Sequence, residues 1–110
     1  MKTPEARAAM RKLADLATPP LAGHDAATFA EKLLLLGAWM EARKEKFIVR
    51  GKLIVDAFTQ AHETPPANPG RDCMAAVQAG WLTLGLYPNP KRAALTPEGW
   101  ARVNEMLGDA

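Results

Sequence analysis

The residues able to do chemistry are few and far apart. Cys73 is the single cysteine, His24 and His62 are the only histidines, and serine is absent altogether. Without serine a Ser-His-Asp triad is impossible. A thiol–imidazole pair would need a reactive thiolate. Cys73 falls in an apolar helical pattern with Met74, Val77 and alanines, a setting that raises a thiol pKa, so a buried structural cysteine is expected. One cysteine and two distant histidines give no zinc-ligand spacing. Asp15, Asp25, Asp56 and Glu63 supply carboxylates, but no spacing puts two of them on one face. The glycines form no phosphate cradle. The expectation is a protein that is not an enzyme and holds no metal or cofactor.

The cations carry more information. The formal charge is only +2 over 110 residues, yet Arg43, Lys44, Lys46, Arg50 and Lys52 face Glu45 alone, a local balance of +4. Such a segment on a near-neutral protein is either a solvated helix face or loop or an electrostatic footprint for nucleic acid. One cysteine excludes an internal disulfide and argues against a secreted scaffold. The first twenty residues mix charge with apolar groups, unlike a signal peptide. The apolar run Leu33–Met40 is far shorter than the ~20 residues that span a bilayer. The expected setting is a reducing cytoplasm, with no membrane partner.

The elements that must position these groups are mostly helical. The hydrophobic fraction of 48% is that of a globular chain, rich in alanine, leucine and methionine, which lose little freedom in helices. Thr3-Pro4-Glu5 opens a first helix with an apolar stripe of Ala6, Met10, Leu13 and Ala17. It packs on the domain's own core or on a second copy. Gly23-His24-Asp25 reads as a turn, with Asp25 capping a long core helix to about Lys44. Glu45–Arg50 fits either a short strand or a continued helix. A third helix from Lys52 to about His62 turns Leu53, Ile54, Ala57, Phe58 and Ala61 inward, and His62 offsets its dipole.

After the proline-rich break Glu63–Gly70, Asn68 and Pro69 open a fourth helix that places Met74, Val77 and Trp81 inward and stops at Gly80. Trp81–Tyr87 alternates as a strand, Pro88-Asn89-Pro90 turns, and Lys91–Leu95 returns. Thr96-Pro97-Glu98 starts a last helix with Trp100, Val103, Met106 and Leu107 inward. Trp39, Trp81 and Trp100 read as core anchors, and Tyr87 either is exposed to a partner or packs across the hairpin.

Gly80-Trp81-Leu82 and Leu95-Thr96-Pro97-Glu98-Gly99 carry a resemblance. The stretch Ala79–Val103, about a quarter of the chain, resembles the wing and following helix of MarR-type transcription regulators and related bacterial winged-helix proteins. The fold class this implies is mainly α: a winged helix-turn-helix over residues 23–110, with one short β-hairpin and an extra N-terminal helix in residues 1–22. The resemblance makes the fourth helix the recognition helix and places Lys91 and Arg92 on the wing, where family members reach the minor groove or phosphates. The fourth helix offers Arg71, Asp72 and Gln78 as its polar groups, and the break before it is longer than the tight turn of those regulators.

The function expected is a small DNA-binding protein, a transcription regulator of bacterial or phage type. Double-stranded DNA would be contacted by Arg92, Lys91, Arg71 and Gln78, and by Arg43, Lys44, Lys46, Arg50 and Lys52. The alternative is an adaptor or inhibitor that uses the same scaffold to bind a protein and leaves DNA untouched. Either form accommodates a homodimer.

Overall fold

Residues 3–21 and 28–108 are described in a computed structural model. Their elements are α1 (Pro4–Ala14), α2 (Phe29–Ala42), β1 (Phe47–Ile48), α3 (Gly51–Gln60), α4 (Pro69–Gln78), β2 (Leu82–Leu84), β3 (Arg92–Leu95) and α5 (Pro97–Met106). The chain is mainly helical, with a small antiparallel sheet of order β1-β3-β2. The ambiguous stretch before Arg50 is therefore a strand. It extends the expected hairpin to three strands, with Phe47 opposite Ala93 and Ile48 opposite Arg92.

The middle of the molecule is α2. Leu33, Leu34, Leu35, Leu36 and Ala38 are all buried, because α1, α4, α5 and β3 pack around its circumference. A helix covered on several sides has no polar face to keep. Gly37 admits β1: a Cβ there would stand 2.7 Å from Phe47 Cδ2. At the other end of the sheet, Gly99 lies so close to the Trp81 carbonyl that a Cβ would collide with backbone. These contacts seat the sheet against the helices. Glu41 on α2 adds a polar tie, its Oε2 accepting the Leu95 N–H at 2.7 Å.

Several helix boundaries differ from expectation. The start of α2 is capped by Thr28, whose hydroxyl accepts the Glu31 N–H while the Glu31 carboxylate accepts the Thr28 N–H. The reciprocal pair satisfies two donors at once. Asp25 is not the cap, and the expected turn around it lies outside the described residues. The helix ends at Ala42, before Lys44, which adopts φ +61 while Glu45 N–H returns to the Met40 carbonyl. Ala17 lies past the end of α1 and is exposed; Ala9 takes its place in the buried stripe.

Inward and outward faces also shift. Leu53 is 51% and Met74 45% exposed, and the buried positions are Ile54 and Phe58 on α3 and Cys73 and Ala76 on α4. Trp100 is buried, whereas Trp39 and Trp81 are half-buried. The strand pair is shorter than the alternating sequence suggests, with Trp81 and Gly85–Lys91 outside it. Among the described residues, no helix is long and apolar enough to cross a membrane.

Candidate nucleic-acid interface

The strand pairing gathers cations that lie forty residues apart in sequence. Val49 N–H donates to the Lys91 carbonyl at 2.8 Å, and Ile48 pairs with Arg92. Arg50, the next residue after Val49, thus stands beside the base of the β2–β3 loop. Lys91 and Arg50 are exposed and Arg92 is half-buried. Lys46, just before β1, is also exposed.

Arg50 is at once the N-cap residue of α3. That N-terminus has no side-chain cap and no acidic residue in its first turn. The other four helices among the described residues are each capped by a side chain: Thr3, Thr28, Asn68 and Thr96. An uncapped helix start presents backbone N–H groups and the positive end of the dipole. Lys52 lies in this first turn, its Nζ 3.1 Å from Asp56 Oδ2 in a pair whose lysine side chain is 85% exposed. Such an exposed pair contributes little and exchanges readily for another anion.

The loop Gly85–Lys91 closes on itself. Asn89 N–H donates to the Leu86 carbonyl at 3.0 Å, Arg92 N–H to the Asn89 carbonyl at 3.0 Å, and Lys91 N–H to Asn89 Oδ1 at 2.8 Å. The Tyr87–Pro88 peptide bond is cis. Tyr87 projects from this loop with 92% of its surface exposed, so it does not pack across the hairpin. No carboxylate occurs from Cys73 to Pro97 or from Lys46 to Val55, so the strands and their loop carry positive charge alone.

Not every predicted contact joins this group. Arg43 points the other way: its guanidinium donates to the Leu16 carbonyl at 2.7 Å, pairs with Glu45 at 3.2 Å and covers the Trp39 ring at 4.9 Å. Trp39 Nε1 donates to the same carbonyl at 3.0 Å. Arg43 fastens the end of α1 to α2 and is a structural residue. Lys44 is exposed at the turn that leaves α2. On α4, Arg71 Nε lies 3.5 Å from Asp72 Oδ1, and Gln78 is exposed at the last helical position. The uncapped start of α3 is the feature that sequence reasoning missed; the absence of Ser, Thr, Asn or Asp before Gly51 was its signal.

Burial holds the Cys73 thiol pKa up, away from the reactive thiolate. No group of three His, Cys, Asp or Glu residues suited to a metal occurs among the described residues. An open apolar groove of about 320 Å³ runs between α2, β1 and α3, lined by Trp39, Met40, Phe47, Leu53 and Ile54 with Glu45 and Asp56 among its polar groups. No protein-family model, curated protein or solved structure matches this chain.

Proposed function

We propose that this chain is a winged-helix DNA-binding protein, of the transcription-regulator kind, rather than an enzyme. In support, the order α2-β1-α3-α4-β2-β3 follows the one expected of a winged helix-turn-helix, in which α4 would serve as the recognition helix and Gly85–Lys91 as the wing. The observation that carries the reading is the Val49–Lys91 hydrogen bond, which joins the wing cations to Arg50 and the uncapped start of α3. Phosphates favour such a place, where side-chain cations and helix N–H groups converge.

Retardation of duplex DNA in a gel at low salt tests the proposal. Each phosphate neutralised lowers log K by about 0.9 per decade of salt. Lys91→Ala combined with Arg92→Ala should weaken binding and flatten that slope by roughly 1.8. A wild-type protein that retards no duplex refutes it. The second reading, a protein-binding adaptor on the same scaffold, is favoured by the apolar side chains at the surface, Leu53, Met74, Leu84 and Tyr87. A partner that survives nuclease treatment, with no DNA retained by the pure chain, selects that reading.

A further inference from the structure

Resting on the duplex reading, we infer that this chain holds DNA through phosphate charge, with little discrimination among sequences. The outward face of α4 consists of Gly70, Arg71, Met74, Ala75 and Gln78, all exposed. In the major groove, bases are distinguished by donors and acceptors that reach their edges, chiefly Arg, Lys, Asn and Gln. Gly70 and Ala75 have no such group. Met74 offers a flexible apolar surface, suited at most to a thymine methyl.

The two polar residues are poorly placed to compensate. Arg71, whose Nε lies 3.5 Å from Asp72 Oδ1, is the one cation on this face. Gln78 is the final residue of the helix, nearly two turns and so about 10 Å along the axis from Arg71. The two cannot read adjacent bases as a set. The cations lie elsewhere: Lys46, Arg50, Lys52, Lys91 and Arg92 sit around β1, the start of α3 and the wing. Phosphate contacts position a protein on the duplex and carry no direct sequence information. A surface weighted this way gains affinity for all duplexes together.

The test is selection by the full chain from a pool of short randomised duplexes, followed by affinities for AT-rich, GC-rich and mixed duplexes at one salt concentration. Expected are no enriched motif and affinities within about tenfold, against the thousandfold or more of a specific binder. Gln78→Ala and Met74→Ala should each bind within about twofold of wild type, whereas Lys91→Ala should weaken all three duplexes by one common factor. Circular dichroism checks that each variant is folded. A duplex preferred by more than about tenfold, or a Gln78→Ala protein that reorders the three duplexes, overturns the inference and leaves DNA binding standing. Failure of the wild type to bind any duplex, even at low salt, overturns the duplex reading and this inference together.

Discussion

The amide of Val49 and the carbonyl of Lys91, 2.8 Å apart, fix where the loop between β2 and β3 stands relative to the start of α3. This bond and the β1–β3 pairing beside it set the spacing between two groups of cations. Charge in each group is a property of the sequence; their common placement depends on this bond and its neighbours in the ladder.

Val49→Pro removes the donor and leaves every cation in place. The expected loss of stability is about 1 kcal/mol for the hydrogen bond, with some further loss from the smaller side chain. DNA retention should fall although net charge is unchanged. Urea denaturation and gel retardation on the same preparation check both parts. Undiminished retention would show that the register of β3 against β1 is irrelevant to the proposed binding.

Glu41→Ala should be more damaging than its partial exposure suggests. It leaves the Leu95 N–H, half inside the junction of sheet and helix, without its carboxylate partner. Hydrogen bonds to charged groups contribute about 1.5–3 kcal/mol, so a loss in that range is expected from denaturant titration. Glu41→Gln retains an acceptor and should recover part of it.

Gly37→Ala and Gly99→Ala separate two kinds of crowding. At Gly37 the added methyl meets the Phe47 ring, which can turn aside at a cost of about 1–3 kcal/mol. At Gly99 it meets the Trp81 carbonyl, and backbone cannot rotate away. The Gly99 variant should be the less stable of the two by thermal denaturation, and equal melting temperatures would contradict this account.

Cys73 is 1% exposed, and burial raises its pKa above the ordinary 9.0. In the folded protein the neutral thiol is favoured. Between the unfolded and the raised folded value the unfolded chain binds fewer protons than the native one, so stability falls with rising pH. The contribution is complete below about pH 9 and is lost as pH climbs through the folded value. Cys73→Ala should show a flatter decline in that alkaline range. A thiol reagent at neutral pH should label the native protein only at the rate of its unfolding.

The helix starts at Pro4, Pro69 and Pro97 were legible because their signals are local. Thr3, Asn68 and Thr96 precede each proline, and each hydroxyl or amide oxygen accepts a backbone N–H from its own first turn. The start of α2 was misplaced because Thr28 and Asp25 are both competent caps, and only the reciprocal bond with Glu31 distinguishes them. Leu53 and Met74 were misassigned for a different reason. Spacing shows that residues share a face, but it does not show which arc of a short helix a neighbour will cover.

By itself the sequence determined the helical character of this protein, the helix starts at Pro4, Pro69 and Pro97, and the lack of a serine nucleophile. These follow from residue type and from interactions within one turn. Tertiary structure alone decided that Phe47-Ile48 is a strand, that Arg43 is a fastener for α1, and that Arg50 stands beside Lys91. A two-residue strand has no periodicity to detect, and it exists only where a partner satisfies its backbone groups. Here β3 is that partner, forty residues away.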